Sequence, residues 1–401
     1  MFFLRTLIMA MRSLKANFAR SILAILGIVI GVGTVIAAVG VVEGATHEWL
    51  SDMEKIGTNV MWVRPGATMR GGVRFAGVKP LLPDDVDDIL ADERIAAASP
   101  EFQTFAQIKF GRKNEAAMVV GTTTEFFGVF SYAAESGRVL TRPDDMIGRS
   151  VACIGFDLAE KLFDKRNPVG EEIRIGKHAF TIVGLMKEKG LVGFADYDNQ
   201  VYIPLTRARA MYNPRSLSQI SVRGQDLVSQ DAARAAVARV LRQNHRLQLG
   251  EPDDFSVVTQ KELFERFSNI TSIWQAVFLA ISGISLVVGG FGIMNIMLVS
   301  VTERTREIGV RMALGALRGD VLTQFLAESS MICIVGAPLG IGLGWLLNGV
   351  VAARLAPLKP ILAPQIVIVA VLVAVATGVV SGLYPAWRAS RLDPVEALRY
   401  E

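Results

Sequence analysis

The sequence predicts an integral membrane α-helical protein with four transmembrane helices and a large extracytoplasmic α/β (α+β) domain of two subdomains. Three observations carry that expectation. The 401-residue chain is 51% hydrophobic, and its mean hydropathy of +0.39 exceeds that of an ordinary soluble protein. Its apolar residues gather in four segments without Lys, Arg, Asp or Glu, at 21–42, 273–301, 329–353 and 360–387. A helix of about 20 apolar residues crosses a bilayer core, so each segment is long enough. Between the first two segments, residues 44–270 carry 29 Lys and Arg against 30 Asp and Glu, the balance of a water-exposed folded domain.

Residues 1–20 come first. Leu4, Leu7, Ile8, Met11 and Leu14 fall on one helical stripe, with Arg5, Arg12 and Lys15 off it. That pattern suits a cytoplasmic amphipathic helix lying on membrane lipid. The same charges also suit a flank that only orients the span behind it. The apolar run of the first span, 21–42, exceeds the about 7–15 residues of a signal-peptide core, so it reads as a retained helix.

Charge placement sets the expected topology. Residues 1–20 and the 302–328 loop each carry four basic residues, the 388–401 tail carries three, and the short 354–359 loop only Arg354 and Lys359. The positive-inside rule then puts both termini and the 302–328 loop in the cytoplasm, and the 43–271 region outside. The sequence pI of about 9.1 therefore reports membrane topology, and no nucleic-acid partner is expected.

The outer region reads as alternating strands and helices. Strands are expected at 59–64, 105–110, 116–121, 150–154, 172–175, 180–184, 200–203, 219–222 and 255–258, and helices at 83–91, 156–163 and 229–245. Similar halves at about 58–130 and 213–258 would flank an inserted subdomain at about 131–212. The first span is expected to continue as helix to about Met53, and 260–271 to lead as helix into the second, forming a stalk. Residues 66–77 read as a mobile loop.

The second span, 273–301, leads into a short charged helix, Glu303 to Ala316. Glu303, Arg304, Arg306, Glu307 and Arg311 present both signs of charge, while Ile308, Met312 and Leu314 supply apolar contacts. Such a helix fits a charged docking cleft on a partner. It equally fits lipid headgroups, with the arginines serving only orientation. The third span, 329–353, and the fourth, 360–387, follow. Glu328 opens the third, where a buried carboxylate is costly. Within the spans Gly27 and Gly31, then Gly336, Gly340 and Gly344, then Gly378 and Gly382, recur at intervals of four, which allows close helix packing. Pro338 suggests a kink.

Catalytic and metal chemistry finds little support. The glycines of GEEIRIGKH, 170–178, are spaced unlike a phosphate loop, and the stretch reads as a turn beside a strand. Asp84, Asp85, Asp87 and Asp88 suit a helix N-terminus better than calcium. His47, His178 and His245 lack metal-ligand spacing. Cys153 and Cys333 fall in different compartments, so no disulfide joins them.

Several stretches together resemble the MacB/FtsX-like permease family of ABC transporters. SVTERTREIGVRMALGALRGDVLTQFLAES (300–329) is similar to that family's loop between second and third spans, and YPAWRASRLDPVEALRYE (384–401) to its ending. ARSILAILGIVIGVGTV (19–35) looks like its first span, and NPVGEEIRIGKHAFTIVGLM (167–186) with QVYIPL (200–205) like its periplasmic core. The resemblance runs essentially the full chain. One departure is the missing fused ATPase: no Walker A motif is present, which implies a stand-alone permease and no enzyme activity of its own.

The resemblance implies a bacterial inner-membrane subunit acting with a second copy of itself or a paralogous permease. A cognate ABC ATPase would bind ATP and Mg; the permease itself would bind no cofactor. The residues expected to couple to that ATPase are those of the charged helix, from Glu303 to Leu314. Such permeases transmit ATP-driven motion to their outer domains. That motion would serve efflux of a hydrophobic or amphipathic substrate such as a drug, peptide, lipid or lipoprotein, with a periplasmic adaptor as a further partner. The alternative is a non-transporting signalling permease that activates an outer partner such as a cell-wall hydrolase.

Overall fold

The computed structural model describes residues 18–66, 69–70, 73–74, 79–164, 166–192, 195–354, 359–362 and 364–399. The expected amphipathic helix of residues 1–20 lies almost wholly outside the described residues. Most of the 66–77 loop does too, although Met69–Arg70 pairs with Val73–Arg74. The chain divides into two compact units, Trp49–Phe267 and the segments on either side of it.

The first helix, α1 (Phe18–Lys55), is followed by β1 (Val60–Pro65), the short strands β2 (Met69–Arg70) and β3 (Val73–Arg74), and α2 (Pro83–Leu90). A long hairpin comes next, β4 (Ile95–Phe110) and β5 (Lys113–Thr122), then α3 (Glu125–Val129), β6 (Ala134–Gly137), α4 (Arg142–Ile147), β7 (Val151–Ile154) and α5 (Phe156–Phe163). The chain continues through β8 (Glu172–Ile175), β9 (His178–Met186), β10 (Leu191–Val192), β11 (Ala195–Asp196), β12 (Gln200–Pro204), α6 (Leu205–Tyr212), β13 (Gln219–Gly224), α7 (Gln230–Asn244) and β14 (Phe255–Thr259).

Ten of these strands form one sheet in the order β14-β1-β13-β4-β5-β12-β7-β9-β6, with β8 pairing β4 and β9. The 131–212 segment is continuous with this sheet, because β12 pairs parallel to β5 from Gln200↔Met118 to Pro204↔Thr122. Side chains alternate between faces with a period of two. Met61, Val63, Ile220 and Val222 point to a core under α2 and α7, and Val119, Ile154, Val201 and Ile203 to a second core under α5. The other face carries an aromatic cluster of Phe126, Phe130, Tyr132, Tyr197 and Tyr202. Each such buried ring contributes about 1.5–3 kcal/mol by the area it removes from water.

Two expected features take a specific form here. The GEEIRIGKH stretch is the β8–β9 hairpin, turned at Gly176 with φ +60°, where a Cβ would be strained. Among the four aspartates, Asp85 accepts from the Leu82 amide at 2.8 Å, and Asn244 on α7 bonds both Asp85 and Asp88. They therefore cap α2 and hold α7 to it. Cys153 and Cys333 are both buried free thiols.

The second unit holds α8 (Gln260–Glu303) for most of its length, α9 (Thr305–Ala313), α10 (Arg318–Arg354), α11 (Pro364–Ser390) and α12 (Pro394–Arg399). Together with α1, the helices α8, α10 and α11 are long and apolar enough to cross a membrane. Glycines set their approach. A Cβ on Gly27 would lie 2.6 Å from Gly289 Cα, and one on Gly31 2.7 Å from Leu286, so α1 and α8 touch backbone to backbone. Gly336, Gly340 and Gly344 on α10 face Ile28, Val32 and Ile36 on α1, knob against notch at each turn. Gly378 and Gly382 on α11 face Cys333 and Ser329 on α10. Thr34 and Ser282 share a 2.8 Å hydrogen bond between α1 and α8. Helix α10 continues through Pro338.

Candidate functional site

The charged helix expected at 303–316 is α9, and its boundaries follow from local chemistry. Thr305 Oγ1 donates to the Val301 carbonyl at 3.0 Å, and the chain leaves α8 through Arg304. The helix ends at Gly315, whose φ of +100° only glycine adopts readily. There the Ala316 amide donates to Arg311 O and the Gly315 amide to Met312 O, the paired bonds of a Schellman stop. Asp320 then accepts from the Leu317 amide at 3.1 Å and starts α10. Two helices are thus joined by a tight turn with Leu314 and Leu317 at its tip.

One face of α9 is locked to its own chain. Ile308 is only 3% exposed and packs in the core of the membrane-spanning unit, with Met312 half-buried beside it. A Cβ on Gly309 would come 2.7 Å from Ala397 Cβ, so α12 lies directly on α9. Arg304 Nη1 lies 3.3 Å from the buried carboxylate of Glu328. Gln324 donates to Glu328 at 3.2 Å and accepts from Arg311 Nη1 at 2.9 Å. Arg311 also pairs with Glu307 one turn away. Arg304, Glu328, Gln324, Arg311 and Glu307 form one polar chain tying α9 to the start of α10.

The opposite face is open. Glu303 and Arg306 are exposed, Glu307 is half-exposed at the border between the two faces, and Val310 and Leu314 on the helix and Leu317 in the turn beyond it are exposed, the last two 84% and 71%. Charges of both signs therefore border an exposed apolar strip. This corrects the sequence reading of the apolar contacts. Ile308 and Met312 face inward, because the 3.6-residue period that brings Gly309 against α12 turns them with it. Val310 and Leu317, not singled out from the sequence, join Leu314 outside. The i, i+3 and i+7 spacing of 307, 310 and 314 is the local signal for that face, and Leu317 lies beyond the Gly315 stop.

Residues 21–240 match the model of the MacB-like periplasmic core domain, and residues 279–394 that of the FtsX-like permease C-terminal region. The chain belongs to the MacB/FtsX-like family of ABC transporter permeases. It is similar to the uncharacterized ABC transporter permease YknZ of Bacillus subtilis (strain 168), at 34% identity over 98% of each chain. It is 34% identical to the macrolide export ATP-binding/permease protein MacB of Syntrophobacter fumaroxidans, over 100% of this chain and 64% of that protein. The chain thus spans less than two thirds of that MacB relative. Among solved structures, the periplasmic region of MacB from Actinobacillus actinomycetemcomitans aligns with a TM-score of 0.46 at 20% identity, covering 55% of this chain and 98% of that one. As a MacB/FtsX-like permease, the chain is a multi-pass membrane protein with a periplasmic-type domain.

Proposed function

We propose that this permease is the membrane subunit of a mechanotransmission-type ABC transporter, driven by an ATPase on a separate chain. Its termini and α9 lie in the cytoplasm in this reading, where the basic residues of 302–328 and 388–401 concentrate. The observation that carries the proposal is the two-sided character of α9. The outer face, with Glu303, Arg306, Glu307, Val310, Leu314 and Leu317, suits a charged cleft with an apolar floor. Its inner face is bonded to α10 and packed against α12, so a push on α9 moves them with it. ATP and Mg belong to the partner. A second copy of the chain or a paralogue, and a periplasmic adaptor, complete the proposed assembly. The transported material is a hydrophobic or amphipathic molecule such as a drug, peptide, lipid or lipoprotein.

The double change Glu307→Lys with Arg311→Glu tests this reading. It keeps an ion pair within α9, worth about 0.3–0.5 kcal/mol, gives up the Arg311–Gln324 bond, and reverses the charge pattern shown to a partner. Expected is loss of co-purification with the cognate ATPase while membrane insertion is retained. Undiminished co-purification would remove α9 as the docking element.

A further inference from the structure

The face of the ten-stranded sheet that carries the aromatic cluster contains a cavity of about 260 Å³, beside that cluster and the first turns of α8. Its walls include Trp62, Met118, Phe126, Tyr197 and Leu263. Three neighbouring strands cross its floor, and each supplies a polar side chain: Arg64 from β1, Gln219 from β13 and Glu101 from β4, with Gln219 directly opposite Glu101.

Glu101 is 2% exposed. It accepts hydrogen bonds from Ser221 Oγ, from Gln103 Nε2 at 2.8 Å and from Gln219 Nε2 at 3.3 Å. All three donors are neutral, and Glu101 forms no ion pair among the described residues. A buried carboxylate without a cation is costly, because three dipoles only partly replace its hydration. Burial accordingly pushes its pKa up, against the pull of those hydrogen bonds and of the more distant Arg64 charge. Arg64, at the exposed rim, gives its Nε to Gln219 Oε1 at 2.8 Å and likewise forms no ion pair among the described residues. The other rim cation, Arg266, is already paired with Glu262 at 2.6 Å. The cavity therefore holds a carboxylate inside and a guanidinium at its mouth that feel each other's charge across a single intervening strand but form no direct ion pair, with rings around them.

We infer that this cavity is a binding site for a small zwitterion of the α-amino-acid class with a large apolar side chain. The ammonium would meet Glu101, the carboxylate would meet Arg64, and the side chain would lie against Trp62, Phe126 and Tyr197. An ammonium beside aromatic faces gains from their quadrupoles as well as from the carboxylate. The volume admits one such molecule and little more. This site goes beyond the transport reading, since it requires neither the ATPase nor α9.

Isothermal titration calorimetry on the full chain in non-ionic detergent tests it with three probes at neutral pH. Phenylalanine carries both charges, phenylalaninamide only the cation, and N-acetylphenylalanine only the anion. Saturable binding of phenylalanine is expected, with each single-charge probe weaker by about tenfold or more, the loss of one charge-assisted hydrogen bond. Arg64→Gln should bring phenylalanine down to the level of phenylalaninamide and leave phenylalaninamide unchanged. Glu101→Gln should remove the preference for a free ammonium. Because Glu101 lies in the core, the Arg64 variant at the rim carries the test if the Glu101 variant does not fold. Equal binding of the three probes, no saturable heat from phenylalanine, or unchanged discrimination in the Arg64 variant would overturn the inference.

Discussion

Arg304 Nη1 stands 3.3 Å from Glu328 Oε2, and that carboxylate is only 3% exposed. The pair joins the residue that opens α9 to the first turns of α10, a helix long and apolar enough to cross a membrane. Removing one partner of such a pair strands the other, which costs more than the pair contributes. Arg304→Ala should therefore lower stability by about 3 kcal/mol or more, read as a lower unfolding temperature in detergent. Combining it with Glu328→Gln should recover most of the loss, because no charge is then left buried. Equal loss in the single and double variants would show that the pair is not the cause.

The contact between Gly309 and Ala397 makes a second prediction. With 2.7 Å between an added Cβ and that of Ala397, Gly309→Val should displace α12 and expose the tail. Trypsin cleavage after Arg391 should then become several times faster. Gly319→Val, at a position where an added Cβ meets nothing within 4 Å, should leave cleavage unchanged.

Much of this was legible beforehand, for identifiable reasons. The four spans follow from length and hydropathy. Strands such as Glu172–Ile175 show clear alternation, and the structure keeps those bounds. That Ile308 is buried and Met312 half-buried within the chain itself was not legible, because the short helix has two apolar faces and sequence does not say which one the chain buries. The α9–α12 contact depends on residues almost 90 positions apart, beyond any local pattern. The cavity was invisible for the same reason. Arg64, Glu101 and Gln219 sit in ordinary strand sequence and meet only through the register of β1, β13 and β4. The first half of β4, residues 95–104, was missed because Ile95–Pro100 contains an alanine run and a proline that resemble a strand poorly.

Gly27 and Gly342 separate packing from propensity. At Gly27 a methyl group would lie 2.6 Å from Gly289 Cα, so Gly27→Ala should force α1 and α8 apart and lower the unfolding temperature. At Gly342 it would meet nothing within 4 Å. There Gly342→Ala should be neutral or stabilising by about 0.5–1 kcal/mol. Similar losses at both positions would argue against the close approach of α1 and α8.

Asp144 predicts an acid limb to stability. Its side chain is buried, which alone would raise its pKa, but hydrogen bonds from Arg138 and Thr141 bring it down to about 2. A carboxyl depressed in the folded state stabilises fully above its unfolded pKa near 4, and that stabilisation disappears as pH falls through about 2. Asp144→Asn should cost about 2 kcal/mol at pH 7 and flatten the loss of stability between pH 4 and 2. An unchanged acid limb would locate the titrating group elsewhere.

The central claim is that the outer face of α9 meets a separate ATPase while its inner face is held by the chain. Site-specific photo-crosslinking in the intact membrane measures this most directly, with a photoreactive side chain at Leu314 or Val310 and the cognate ATPase co-expressed. A covalent adduct with the ATPase from both positions, lost in the Glu307→Lys, Arg311→Glu background, is the predicted result. Crosslinks to lipid alone, with the ATPase still co-purifying, would contradict the account.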